Sequence, residues 1–225
     1  LTFDPFGDIT GIANLNIKTN TGKIKIIKND VDTNKPIEGV TFQLSKKDGT
    51  VIANSTTNSN GEASFANLYQ GNYILKEIST NVNYILNEKT FDINVEYNKT
   101  TSQTITNEHK KGNIKVYKVD KDNKKVVLGN VEFQLYSEEF KKVVGTYYTD
   151  VNGELEIKNI RTGDYKLIET KTNKWYNLAS DTQIKVEWDK ETTKTIENEL
   201  KKGQVKVIKV DKDNNEVKLE GVEFE

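Results

Sequence analysis

The chain has 225 residues and a mass of 25.6 kDa, with 34% hydrophobic and 30% charged residues, so its apolar content is lean and must be divided among small cores. Lys+Arg number 33 against 34 Asp+Glu, a formal net charge of −1, without the basic excess of a nucleic-acid or anionic-membrane binder. The sequence holds no cysteine, which excludes disulfides, thiolate catalysis and zinc–cysteine sites. A single histidine, His109, leaves little for metal sites or triads, and no run of about 18 apolar residues is present to span a membrane.

Residues 1–20 match nothing that follows and read as a leader or as the end of a preceding domain. The chain opens at Leu1 without a start methionine or signal peptide, as expected of a segment of something longer. A repeat then begins. Gly22-Lys-Ile-Lys-Ile-Ile-Lys28-Asn-Asp30 aligns with Gly112-Asn-Ile-Lys-Val-Tyr-Lys118-Val-Asp120 and with Gly203-Gln-Val-Lys-Val-Ile-Lys209-Val-Asp211, at intervals of 90 and 91 residues. Val40-Thr-Phe-Gln-Leu44 recurs as Val131-Glu-Phe-Gln-Leu135 and as Val222-Glu-Phe-Glu225. Asn60-Gly61 recurs as Asn152-Gly153, Gly71-Asn-Tyr73-Ile-Leu75-Lys-Glu77 as Gly163-Asp-Tyr165-Lys-Leu167-Ile-Glu169, and Thr104-Ile-Thr-Asn107-Glu108 as Thr195-Ile-Glu-Asn198-Glu199. A period near 90 residues exceeds that of solenoids and fits a tandem array of independent domains. The expected domains are 21–110, 111–201 and a truncated third start at 202–225. The short charged joints around Glu108–Gly112 and Glu199–Gly203 suggest a semi-stiff string.

Within each repeat, apolar residues alternate with polar ones in short runs rich in Val, Ile, Thr and Tyr, broken by Asn, Gly and Asp. That pattern predicts an all-β sandwich, with tight turns at Asn60-Gly61 and Asn152-Gly153 and a short helical turn near Ser137–Lys142. Strand parity puts Lys28 on the face of Ile24 and Ile26, Lys118 on that of Ile114 and Val116, and Lys209 on that of Val205 and Val207. By the same rule Glu77 continues the face of Tyr73 and Leu75, Glu169 that of Tyr165 and Leu167, while Asn107 and Asn198 follow Ile105 and Ile196. Each complete repeat thus aims one Lys, one Glu and one Asn inward. On one reading the strand ends fray and these side chains reach water at the rim. On the other they are buried together, which is costly unless charge is removed or paired.

A buried set has a specific chemistry. Burial lowers a lysine pKa and raises that of a glutamic acid, favouring the neutral forms. A neutral amine is a nucleophile. A protonated carboxyl can hydrogen-bond the carboxamide oxygen as the amine attacks and then pass its proton to departing ammonia. The product is a Lys–Asn isopeptide bond, formed by proximity without a cofactor.

The ordered motifs Gly-x-Ile/Val-x-Val/Ile-x-Lys-x-Asp, Val-x-Phe-x-Leu and Gly-x-Tyr-x-Leu-x-Glu, with a terminal Asn strand, resemble the B-type (CnaB-like) domain of the collagen adhesin, found in stalks of Gram-positive surface adhesins and in pilins. The resemblance covers about residues 21–225. It implies tandem inverse immunoglobulin-like (prealbumin-like) β-sandwiches. It also implies isopeptide bonds Lys28–Asn107, assisted by Glu77, and Lys118–Asn198, assisted by Glu169, with Lys209 an unpartnered third lysine. That family often follows its Glu with Ala-Pro-x-Gly-Tyr. Here Ile78-Ser-Thr-Asn81 and Thr170-Lys-Thr-Asn173 stand instead, a loop change expected to leave the triad untouched.

Other constellations read as structural. Asp120, Asp122 and Asn123, like Asp211, Asp213 and Asn214, lack the Gly and distal Glu of a calcium loop and suit turns. Trp175-Tyr176 and Trp188 fit core-edge packing, and His109 a solvated linker. Two function classes follow: a self-cross-linked stalk of a cell-surface adhesin, or a module that itself contacts host matrix or carbohydrate, for which Trp175-Tyr176 is the candidate patch. The segment is expected to be an extracellular monomer, at the cell surface or attached to the cell wall. It should neither turn over external substrate, nor bind nucleic acid, nor insert in a membrane, and matrix contact is left to other parts of the full-length protein.

Overall fold

Alternating sequences give strands whose two faces differ, and two such sheets can close a core between them. The computed structural model describes residues 21–224. Residues 1–20, read above as a leader or domain end, and Glu225 lie outside the described residues. The chain divides into two compact units that part between Lys110 and Lys111.

The first unit contains β1 (Thr21–Asp30), β2 (Thr41–Lys46), β3 (Val51–Thr56), β4 (Glu62–Tyr69), β5 (Gly71–Ser79), β6 (Thr90–Val95) and β7 (Thr100–Asn107). They form a three-stranded sheet, β4-β1-β7, and a four-stranded sheet, β3-β2-β5-β6. All pairings are antiparallel except that of first strand with last: β1 and β7 run parallel, with Lys28 opposite Ile105 and Asp30 opposite Asn107. The second unit repeats the plan with β8 (Lys111–Asp120), β9 (Glu132–Ser137), β10 (Lys142–Tyr148), β11 (Glu154–Arg161), β12 (Gly163–Lys171), β13 (Thr182–Val186) and β14 (Glu191–Asn198). Its sheets are β11-β8-β14 and β10-β9-β12-β13, and β8 pairs parallel with β14. Each unit is an all-β sandwich, and no helix occurs among the described residues.

Each unit has its own core. In the first, Ile24, Ile26, Phe42, Leu44, Leu75 and Val95 are fully buried; in the second, Ile114, Val116, Val131 and Leu135 are. The Asn-Gly turns do more than reverse the chain. Gly61 and Gly153 adopt φ of +70° and +71°, which favours glycine, and their carbonyls accept the backbone N–H of Lys28 (2.8 Å) and Lys118 (2.7 Å). A Cβ on either glycine would collide with the carbonyl of that same lysine. The turn therefore clamps the strand at the residue whose side chain enters the core.

Three expectations are corrected. Residues 138–141 form a turn between β9 and β10, where the Ser137 hydroxyl accepts the Phe140 N–H (3.2 Å) and Lys141 takes φ of +53°; two long paired strands leave no room for a helix. His109 is buried rather than solvated. Residues 84 and 109 form an antiparallel bridge that lays Tyr84 edge-on against the imidazole at 5.0 Å between centroids. Tyr176 packs at the edge of the second core, but Trp175 is 62% exposed beneath the Lys174 ammonium. Asp120 and Asp211 close turns, each Oδ1 accepting two backbone N–H groups. In residues 203–224 no strand is formed, and Val205, Val207 and Lys209 are exposed.

Glu132 of β9 accepts from the Tyr148 hydroxyl, the Thr170 hydroxyl and the Lys171 ammonium. These partners, Lys171 foremost, pull its carboxyl down to about 2. A depressed carboxylate stabilises the fold above its unfolded pKa, near 4.5, and that contribution disappears as pH falls toward 2. The first unit has Thr41 at this position. Acid titration of urea stability, followed by the fluorescence of Trp175 and Trp188, should therefore show the second unit weakening from pH 4.5 to 2. E132Q should be weaker than wild type at pH 7 and lose that part of the slope.

Candidate functional site: a buried Lys–Glu–Asn set in each sandwich

Parity along three strands brings one polar residue from each into the dry interior. Lys28 follows Ile24 and Ile26 on β1, Glu77 follows Tyr73 and Leu75 on β5, and Asn107 ends β7 after Ile105. Tyr73 fixes the entry of β5 by donating its hydroxyl to the Tyr69 carbonyl (2.8 Å), as Tyr165 does to Arg161 (2.9 Å) on β12. Lys28 and Glu77 are 0% exposed and Asn107 is 3% exposed. Lys28 Nζ donates to Asn107 Oδ1 at 2.5 Å and lies 2.8 Å from Glu77 Oε2, while Asn107 Nδ2 donates to Glu77 Oε1 at 2.6 Å. The ammonium also lies 5.7 Å from the centroid of the Phe42 ring.

The second sandwich repeats the set. Lys118 Nζ donates to Asn198 Oδ1 and lies 3.2 Å from Glu169 Oε2, and Asn198 Nδ2 donates to Glu169 Oε1 at 2.5 Å. No side chain of either set reaches water at a frayed strand end: the least buried, Glu169, is 5% exposed. Lys209 has the same parity in sequence but lies exposed.

The two sets differ in how well the cation is satisfied. Lys118 Nζ has a third acceptor, the Ile196 carbonyl at 3.3 Å, and Glu169 Oε2 accepts the Ala179 N–H at 3.2 Å. In the first sandwich the corresponding N–H, from Asn87, goes to Oε1 (3.3 Å), leaving Glu77 Oε2 with the Lys28 ammonium and no other donor.

Burial is the main force on both lysines. Desolvation pulls Lys28 and Lys118 below the ordinary lysine value of 10.5, against the raising effect of Glu77 and Glu169. An ammonium–carboxylate pair and an amine–carboxylic acid pair hold the same number of protons. Their ratio is therefore set by the dry surroundings and not by pH, so long as the pair keeps one shared proton. In the amine form the lysine nitrogen, now with a lone pair, lies beside the carboxamide, with a carboxyl on the amide nitrogen. That arrangement can do acyl transfer from Asn to Lys.

Two features differ from the sequence reading. The carboxyl was expected on the carboxamide oxygen, but Glu77 and Glu169 face Nδ2 and the oxygen faces the lysine. The amide dipole aligns with the ion pair, oxygen to the cation and N–H to the anion. The carboxyl is thus placed to deliver a proton to the leaving nitrogen. The loop after the Glu also reaches the triad: the Thr80 hydroxyl accepts from Asn107 Nδ2 at 2.9 Å and the Thr172 hydroxyl from Asn198 Nδ2 at 2.8 Å. Sequence reasoning missed both threonines, although Glu-x-x-Thr recurs in the two repeats.

The family model described as SpaA: Prealbumin-like fold domain matches residues 22–109 and 112–200. The collagen adhesin of Staphylococcus aureus is 41% identical over 99 residues, which are 41% of this chain and 8% of that protein. The chain thus matches a small part of that relative's length. Among solved structures, the Bacillus anthracis TIE protein aligns with 80% of this chain and 34% of its own at 26% identity and a TM-score of 0.67. A streptococcal ancillary pilin aligns with 82% of this chain and 63% of its own at 23% identity and a TM-score of 0.41. With the family model covering both sandwiches, and with these strand motifs in this order, the chain belongs to the SpaA prealbumin-like domain family, as a tandem of CnaB-like repeats.

Proposed function

We propose that the chain is a stalk segment of a bacterial cell-surface adhesin, extracellular and wall-attached, in which each complete sandwich cross-links itself once through an isopeptide bond. What supports this reading is the convergence of amine, carboxamide and carboxyl in a water-free core, in both sandwiches, between the first and last strands. The bonds are Lys28–Asn107 with Glu77, and Lys118–Asn198 with Glu169. In each, Nζ–Cγ forms and Cγ–Nδ2 breaks. Of the three ammonium protons, one stays on the new amide and one becomes the third hydrogen of ammonia. One remains on the glutamate until solvent takes it. The chemistry turns over once, on the chain itself, and needs no cofactor. Matrix contact, suggested by the collagen adhesin's name, is assigned to regions outside this chain. A direct contact by this segment has one observation in its favour, the exposed Trp175 where the first repeat has Asn83.

Intact mass tests the reaction. The purified chain should be lighter than its sequence mass by two ammonias, and Glu77→Ala and Glu169→Ala should each restore one. An unmodified wild-type mass would sink the isopeptide reading and leave the fold.

The first sandwich should react ahead of the second, because Lys28 has fewer acceptors holding its ammonium and Glu77 Oε2 fewer donors holding its charge. In cell-free synthesis quenched in denaturant at intervals, with each delay counted from completion of that sandwich's last strand, peptide mapping should find Lys28–Asn107 formed after a shorter delay than Lys118–Asn198. The reverse order would contradict this account of the difference.

Pulling tests the stalk. The bonds span 79 and 80 residue steps, so at about 3.4 Å per residue each withholds roughly 270 Å of extension. Loop closure of that size should also add about 4–5 kcal/mol against unfolding. Single molecules of wild type should show no unfolding step of that length, and Lys28→Ala and Lys118→Ala should each introduce one.

A further inference from the structure

Both hydrogens of the carboxamide nitrogen are engaged in each sandwich. Asn107 Nδ2 donates to Glu77 Oε1 at 2.6 Å and to the Thr80 hydroxyl at 2.9 Å; Asn198 Nδ2 donates to Glu169 Oε1 at 2.5 Å and to the Thr172 hydroxyl at 2.8 Å. Each threonine lies three residues after its glutamate, just beyond β5 in the first sandwich and beyond β12 in the second. Glu77 and Asn107 are closed off from water, whereas Thr80 and Thr172 are only partly buried. Of the two residues that accept from the leaving nitrogen, the threonine is thus the less buried.

We propose that Thr80 and Thr172 are positioning residues for the cross-linking reaction, holding the carboxamide with its nitrogen toward the glutamate and its carbonyl toward the lysine. This rests on the isopeptide reading above. A carboxamide is nearly symmetric in shape, so packing alone distinguishes its oxygen from its nitrogen poorly; hydrogen bonds decide. A glutamate that has taken the lysine proton presents a donor as well as an acceptor, and could then bind the carboxamide either way round. The threonine removes that freedom. As it stands the threonine oxygen accepts from Nδ2, and with the lysine ammonium on Oδ1 this second bond keeps the leaving nitrogen on the carboxyl that must protonate it.

The test compares T80V, which keeps shape and loses the hydroxyl, with T80S, which keeps the hydroxyl, in the full chain. Both are synthesised cell-free and quenched at intervals, and the Lys28–Asn107 and Lys118–Asn198 peptides are quantified. Loss of one hydrogen bond that orients reacting atoms is worth about tenfold in rate. T80V should slow Lys28–Asn107 by about that factor and leave Lys118–Asn198 unchanged as an internal reference. T80S should react within about twofold of wild type, and T172V should reverse which bond is slow. Circular dichroism of T80V at the quench times reports folding, so slow cross-linking in a folded first sandwich is the supporting result. T80V at the wild-type rate, T80S as slow as T80V, or a T80V whose first sandwich fails to fold would each overturn the positioning role while leaving the isopeptide reading intact. A wild-type chain that loses no ammonia overturns both.

Discussion

A lysine ammonium in a hydrocarbon core is among the more costly things a small protein can bury, and the rest of each sandwich is arranged around it. Lys28 and Lys118 sit between the two sheets where an isoleucine would be unremarkable. The carboxylate from the facing sheet and the carboxamide from the neighbouring parallel strand meet the charge there. None of the three has an alternative partner in water, so each depends on the other two. The clamp of Gly61 and Gly153 on the lysine backbone follows from the same need, since a shift of one residue along β1 or β8 would turn the cation out and an uncharged side chain in.

Much of this was legible in the sequence because strand parity is strict. Two apolar residues at i and i+2 followed by Lys at i+4 leave no doubt about which face the lysine shares, and the same holds for Tyr73-x-Leu75-x-Glu77. The 90-residue spacing supplied a second copy against which each motif could be checked. Parity also conveyed which strands carry the set, though not which strands are neighbours. The parallel pairing of β1 with β7 is a property of topology and came only with the structure.

What escaped was set by loops and by short-range competition. His109 looked like linker because its neighbours are charged, yet the loop holding Tyr84 folds back to cover it, a contact between residues 25 apart that no periodicity encodes. At the equivalent bridge the second sandwich has Leu200, which is exposed where His109 is buried. Thr80 and Thr172 escaped for a related reason. They follow the last strand residues whose parity could be read, and threonine is common in loops. Trp175 was grouped with Tyr176 because they are adjacent, but adjacent residues at a strand-like bridge point opposite ways, one to the core and one to solvent.

The parallel union of first and last strands also sets the order in which a sandwich can be finished. β1 has β4 on one side from mid-synthesis, but its other edge remains open until β7, which begins about seventy residues after β1 ends, so completing the domain depends on a pairing distant in sequence. Until then the lysine has no carboxamide and the interior is incomplete. A chain emerging from its N-terminus therefore cannot bring the three groups together in a partly made domain. Under the proposed chemistry, the covalent bond becomes a record of completion: it marks the domains that have folded through to their last residue and marks no others.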